Sequence, residues 1–283
     1  MIDEEFRYSE IQGHRVGYVW YPSIAATGIA EGVFTSRIGG VSPEPYASLN
    51  LGKGNDDAKE NIDANYRIAA AILGTVPERC VLGYQTHTAN VRAVTEEDAG
   101  KGTVRERDYR DVDGLVTNVP DLTLVTLHAD CTSLYFVDPV HRAIGMAHSG
   151  WRGTVKRIGR NILETMQSEY GTCPDDIIAV IGPTIRGCCY EIGPEVAEQF
   201  IYEFGDRSVR EEKILTPGKG DRSMLDMAAA NRRVLLDAGI RSDHLTVTAY
   251  CTCCRSDLFY SHRAAKGQKR GNGAGMLRIT AKK

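Results

Sequence analysis

The spacing of apolar and polar positions along the chain predicts an alternation of short strands and amphipathic helices. Residues 15–20 (RVGYVW) and 31–36 (EGVFTS) have the branched and aromatic content of strands. From Glu60 to Leu73, the residues Ile62, Tyr66, Ala69, Ala70 and Leu73 recur at helical spacing. VLGYQTHTANVRAV (81–94) predicts a strand, a polar turn and a second strand. Segments 122–131 and 133–138 form a nearly continuous apolar run, as expected of strands covered on both faces. AIGMAHSG (143–150) is a short strand ending in small residues. It leads into one long helix, Trp151 to Tyr170, with Val155, Ile158, Ile162, Leu163 and Met166 on one side. Further on, 176–183 and 245–252 predict strands. Segment 194–204 predicts a helix opened by Pro194, and 225–239 a helix stopped by Gly239. No repeat or linker interrupts the pattern, so residues 1–283 are expected to form one mixed α/β domain.

Composition narrows the classes. A chain of 283 residues can bury about three quarters of its unfolded surface and needs no disulfide staples. The balance of 34 basic against 37 acidic residues argues against nucleic acid as the main partner. No apolar run approaches the roughly 18 to 20 residues of a membrane helix, so no membrane partner is expected. The start, MIDEEFRYSE, lacks the basic and apolar segments of a signal peptide, so a cytoplasmic location is expected. In that compartment the eight cysteines are expected to be thiols, metal ligands or a nucleophile, most of them buried small hydrophobes.

The familiar nucleotide motifs fail on inspection. Gly52-Lys53 is followed by Gly54, and Ala47 stands where a phosphate loop needs its first glycine. GNGAG (271–275) lacks the third glycine of a dinucleotide fingerprint. There is no Gly-x-Ser-x-Gly elbow, and no Pro-Cys-x-x-Cys follows His128-Ala129-Asp130 as a zinc deaminase would require.

Three segments at predicted strand ends carry chemistry: His87 in GYQTHTANV, Cys131 in HADC and His148 in AHSGWRG. If folding joins them, two imidazoles and a thiolate supply three of the four ligands of a zinc site, leaving one position open. The same Cys131 and His148 could be a metal-free nucleophile and base, as in a hydrolase or acyl-transfer enzyme. The ordinary alternative is a buried core thiol beside satisfied histidines. Asp130 could orient a ligand or accept a proton, or could cap a strand end. Arg152 and Lys156, near the start of the predicted helix, would suit phosphate or simply be solvated.

Taken together, TSRIGGVS (35–42), SLNLG (48–52), QTHTANV (85–91), DVDGLVT (111–117), ADC (129–131), HSGWRGT (148–154), IGPTIRGCCYEIG (181–193) and CTCCRSDLFYSHRAAKGQKRGNGAGM (251–276) resemble the YfiH/YlmD family, also called the laccase-domain or polyphenol oxidase family. The resemblance runs from about residue 30 to the C-terminus. It implies a layered sandwich of β-sheets flanked by helices and a zinc site held by His87, Cys131 and His148. It also implies cleavage of adenosine, inosine and methylthioadenosine by phosphate, with conversion of adenosine to inosine. By motif position, Arg37 and Arg152 are expected to anchor phosphate and Asn50 and Gln85 to bind purine or ribose, with turn and capping roles as the alternative. Asp130 is expected to move a proton. The older family description is copper-dependent phenol oxidation. That chemistry needs several coppers and many histidines, and seven histidines, three of them in these motifs, are too few. His128 is expected to support the site or to compete as a ligand. The oligomer is expected to be a monomer or a homodimer.

Cys251 and Cys254 have Cys-x-x-Cys spacing, and Cys188-Cys189 could add thiols for a four-sulfur zinc. The adjacent pair and the lack of a second Cys-x-x-Cys favour packing or occasional oxidation instead. Residues 262–283 contain seven Lys or Arg (263, 266, 269, 270, 278, 282, 283) and no acid. They are expected to form a solvated tail, the alternatives being a phosphate entrance or weak RNA contact.

Overall fold

Three sheets organise the chain in the computed structural model, which describes residues 4–54 and 56–280. The first is β1 (Glu5–Ile11), β2 (His14–Trp20), β3 (Ala30–Thr35), β15 (Gly273–Ile279), β7 (Thr123–His128) and β4 (Cys80–Leu82), in that spatial order. The second is β14 (Leu245–Val247), β10 (Ile178–Ile181), β8 (Thr132–Asp138), β9 (Ala143–Ser149), β6 (Gly114–Thr117) and β5 (Val91–Ala93). A small sheet orders β11 (Glu191–Ile192), β13 (Ser223–Leu225) and β12 (Leu215–Pro217). The helices are α1 (Pro22–Ala25), α2 (Lys59–Ile72), α3 (Trp151–Val155), α4 (Ile158–Tyr170), α5 (Pro194–Phe204), α6 (Asp206–Glu211), α7 (Met227–Asp237) and α8 (His262–Ala265). Among them none is long and apolar enough to cross a membrane.

The two six-stranded sheets face each other, and alternation along β8 explains the apolar run. Tyr135 and Val137 point into the core between the sheets, with Phe34, Leu124, Met146 and Leu277. Leu134 and Phe136 point outward against Ile158, Ile162, Met166 and Leu235 of α4 and α7. Ile62, Tyr66 and Ala69 of α2 cover the opposite side, against Val33, Val125 and Met276. The result is a helix–sheet–sheet–helix sandwich, as the resemblance implies. Small residues let α4 approach β9 closely, since a Cβ on Gly145 would lie 2.8 Å from Ile162 Cγ2 and 3.0 Å from Met166 Sδ.

One sequence expectation about these elements needs correction. The predicted helix 151–170 is two helices, broken at Arg157, whose φ of 56° is left-handed. The break re-aims the chain: Trp151 and Val155 pack toward the small-sheet core, while Ile158 and Ile162 face the second large sheet. Arg157 holds this corner by ion pairs to Glu203 and Asp237. The predicted pair of strands in 81–94 is present, but its members lie in different sheets, β4 in the first and β5 in the second. That crossing positions the site.

Candidate active site

The chain passes between the large sheets twice near one end of the sandwich. The β4–β5 connection carries His87, and the three-residue link from β7 to β8 carries Cys131. His148 stands near the end of β9, which runs antiparallel to β8 and pairs His148 with Ser133. The ligand atoms of His87, Cys131 and His148 all lie within 4.8 Å of one another, with Cys131 Sγ 3.9 Å from His87 Nε2. His87 is exposed, Cys131 half-buried and His148 buried, so the group opens to solvent on one side.

One carboxylate, absent from the sequence expectations, organises the group. Asp113 Oδ1 accepts a hydrogen bond from His148 Nδ1 at 2.8 Å, which leaves His148 Nε2 as the nitrogen free to ligate. The same side chain accepts from the backbone N–H groups of Thr86 (3.1 Å), His87 (3.1 Å) and Thr88 (2.8 Å), and from Thr88 Oγ1 (2.8 Å). It thus fixes both the imidazole of His148 and the turn in which His87 adopts a φ of 64°. The DVDGLVT segment was its only sequence signal.

The charges of the metal-free group follow from this packing. Burial raises the Cys131 thiol, but His148 and then His87 outweigh it and bring the thiol to about 6. Burial lowers His148, but the Cys131 thiolate and the Asp113 carboxylate outweigh it and raise the imidazole to about 10. His128, by contrast, is pushed well down by burial and by the neighbouring His148. Its Nδ1 meets Cys131 O at 3.0 Å and its Nε2 meets Thr126 Oγ1 at 2.8 Å, so neither nitrogen is available as a ligand. It supports the Cys131 turn instead.

The group forms part of the wall of a cavity of about 670 Å³. Five cationic side chains line it, Lys53, Arg107, Arg152, Arg263 and Arg270, against one acid, Asp130. Three arginines lie over aromatic rings of the same wall: Arg107 on Tyr84 (4.5 Å), Arg152 on Trp151 (4.2 Å) and Arg263 on Tyr190 (4.9 Å). Such stacking holds a guanidinium in place without neutralising it. Arg270 Nε is buried with no hydrogen-bond partner. A concave site with this excess of positive charge suits an anion.

The other expected site residues divide. Arg152 and Gln85 line the cavity, but the Gln85 amide is committed to the backbone of Leu127, donating to its carbonyl at 2.8 Å and accepting from its N–H at 2.7 Å. Asp130 also lines it, and its carboxylate accepts from Thr252 Oγ1 and from the Arg263 N–H, both at 2.7 Å. Asp130 therefore ties the Cys131 turn to two later segments. Arg37 and Asn50 do not line the cavity. Arg37 donates to the carbonyls of Ala47 and Ser256, and Asn50 Oδ1 accepts from the N–H groups of Gly52 and Asn272. Backbone groups thus engage two Arg37 nitrogens and the Asn50 oxygen, while the Asn50 amide nitrogen donates to Asp57 at 2.9 Å, which is the turn role weighed against binding. The expected helix start at Arg152 belongs to a helix of only five residues, so its dipole offers little to an anion. Arg263 and Arg270, expected in a solvated tail, stand on the cavity wall, whereas Lys282 and Lys283 lie outside the described residues.

Gly150 sets the width of the site. A Cβ there would lie 2.8 Å from His87 Cδ2 and 3.1 Å from Cys131 Sγ. Gly150→Ala should push the His87 ring out of place and cost about a hundredfold in turnover. Steady-state rates together with metal content of the variant check this.

Comparison with known proteins agrees with the fold. Residues 31–280 match the family model described as multi-copper polyphenol oxidoreductase laccase. The chain is 36% identical over 241 residues to the purine nucleoside phosphorylase YlmD of Bacillus subtilis, covering 83% of this chain and 84% of that protein. The crystal structure of the Bacillus licheniformis hypothetical protein YfiH superposes with a TM-score of 0.87 at 31% identity, covering 97% of this chain and 99% of that one. YlmD from Geobacillus stearothermophilus gives 0.84 at 32% identity, covering 93% and 96%.

Proposed function

Since the chain belongs to the multi-copper polyphenol oxidoreductase laccase family, the YfiH/YlmD family of the sequence resemblance, we propose that it is a zinc-dependent purine nucleoside phosphorylase with adenosine deaminase activity. The observation that carries the proposal is one cavity in which a His–Cys–His donor set stands among five cationic side chains. Two imidazoles and a thiolate with an open side suit a single zinc. They do not suit a multi-copper assembly, because among the described residues no other histidine joins the group. A bound zinc would supply Lewis acidity and a water of lowered pKa at the open side.

The protein's own residues would do the rest. Arg152, Arg263 and Arg270 would hold phosphate, their charge favouring its approach to the ribose carbon. The C1′–N9 bond of the nucleoside breaks, a C1′–O bond to phosphate forms, and the leaving base takes up a proton. Tyr84, Trp151 and Tyr190, with Ile185 and Met227, line the same wall and would border the purine and ribose. Adenosine, inosine and methylthioadenosine are the proposed substrates. Asp130, the one acid on the wall, is the proposed proton carrier besides holding its loops. Its free lone pairs remain available, because each oxygen accepts only one hydrogen bond. The proposed location is the cytoplasm, a compartment that keeps thiols reduced and able to ligate a metal.

Incubating the protein with adenosine, with and without phosphate, tests the proposal by mass spectrometry of the products. Adenine and ribose 1-phosphate should form only with phosphate, and inosine should form in both. Inosine alone would reduce the activity to deamination. The order Cys131–His148–Asp113 also favours a second reading, a metal-free thiol hydrolase. Full activity after exhaustive chelation would favour that reading over the first.

A further inference from the structure

A second set of soft donors lies outside the cavity, where two segments meet. The loop after β10 carries Cys188 and Cys189, and the segment after β14 carries Cys251 and Cys254. Their four Sγ atoms all lie within 4.8 Å of one another. Hydrogen bonds from the N–H groups of Cys189 and Tyr190 to Arg186 O, at 2.9 and 3.0 Å, fold the first loop into a tight turn. That turn brings both adjacent sulfurs to one place, which their proximity in sequence had argued against. The second segment is registered against the first by a parallel bridge between Thr184 and Cys251 and by the hydrogen bond from Thr252 N–H to Thr184 O at 3.0 Å. Backbone pairing, not the sulfurs, therefore sets the cluster.

From this geometry we infer that Cys188, Cys189, Cys251 and Cys254 bind one zinc ion as a four-sulfur structural site. Zinc–sulfur bonds of about 2.3 Å in a tetrahedron place the sulfurs about 3.8 Å apart. The present separations reach that arrangement by shifts of about an ångström or less. Cys251 and Cys254 supply the two-residue spacing common in such sites. Cys254 Sγ stands 3.4 Å from Cys188 Sγ and 3.3 Å from Cys189 Sγ. It is equidistant from two partners, as a corner of a cluster is, whereas a disulfide would select one of them and leave the other thiols idle. Cys188 and Cys254 are exposed, so an ion can enter, while Cys251 is buried and anchors the far side.

The site would brace the cavity without touching substrate. Arg263 donates to the carbonyls of Cys189 (3.2 Å) and Glu191 (3.1 Å), and its guanidinium lies over Tyr190. Thr252, within the second segment, donates to Asp130. Four sulfurs on one ion would lock the loop that positions Arg263 and the segment that holds Asp130. The cluster and the cavity are separate donor sets, and neither inference needs the other.

The test uses the full chain carrying Cys131→Ser, so that the cavity group is disabled. After stripping with a chelator, reloading with zinc chloride and desalting, it should retain one zinc per chain by elemental mass spectrometry. Cobalt in place of zinc should give the charge-transfer bands of a four-thiolate tetrahedral ion. Adding Cys254→Ser or Cys188→Ser, both at exposed positions, should lower zinc affinity at least about a hundredfold and abolish those bands. The inference is overturned if the Cys131→Ser chain retains no zinc, if the added variants retain it, or if mapping of freshly prepared protein finds two of the four joined in a disulfide.

Discussion

Cys131→Ala is expected to remove both phosphorolysis and the metal of the cavity. The thiol is the only soft donor of the group, and its two partners are histidines on separate segments, one of them on an exposed turn. Two imidazoles without it would bind zinc too weakly to survive dilution. A metal acting as a Lewis acid contributes several kcal/mol of transition-state stabilisation, so its loss should cost about a thousandfold or more in rate. The fold should be kept, since Cys131 is half-buried and the flanking backbone is held by Asp130, Thr184 and His128. Initial rates with adenosine and phosphate, with metal content measured on the same sample, check this. A variant that phosphorolyses at the parental rate would remove Cys131 from the mechanism.

Asp113→Asn is expected to be damaging as well, though less so, even though Asp113 touches neither substrate nor metal. Its two oxygens accept five hydrogen bonds, from His148, Thr86, His87 and twice from Thr88. An amide of the same shape would turn an N–H₂ group toward donors and leave some of them unpaired in a buried place. Loss of such an orienting carboxylate costs about 10–100-fold in metal affinity or activity. Breaking a buried charged pair costs about 3–5 kcal/mol of stability. Urea unfolding and zinc titration of the variant separate the two effects. Parental zinc affinity would show that His87 and His148 hold their geometry without this carboxylate.

Legibility differed sharply between elements. α5 matches its predicted span, 194–204, because Pro194 marks the start and the apolar face is regular. The strands around β8 were legible because both of their faces are covered, which leaves a run of apolar residues. The small sheet of β11, β12 and β13 was not legible, because strands of two or three residues carry too few positions for a period. β15 was hidden by the glycines of GNGAG, which are there for contact: a Cβ on Gly275 would lie 2.8 Å from Met146 and from the Tyr135 hydroxyl. The break at Arg157 was invisible because the apolar spacing continues through it, while the surfaces it packs against change.

For the site, local sequence determined which residues carry usable chemistry, namely His87, Cys131 and His148 near strand ends, and the resemblance implied that they form one group. Chain crossing between the sheets decided that these three meet, and Asp113, the residue just before β6, is brought beside them because β6 pairs with β9. Residue type alone did not say which polar side chains reach the cavity. Arg37 and Asn50 have the right chemistry for a ligand, yet they stand off the cavity wall and bond to loop backbone and, for Asn50, to Asp57. Arg263, Arg270 and the four clustered cysteines show the reverse, since only tertiary packing turned an apparent tail into a cavity wall and unremarkable thiols into one constellation. Periodicity reports a residue's own face, whereas a site depends on distances between segments far apart in the chain, which pairing and packing alone set.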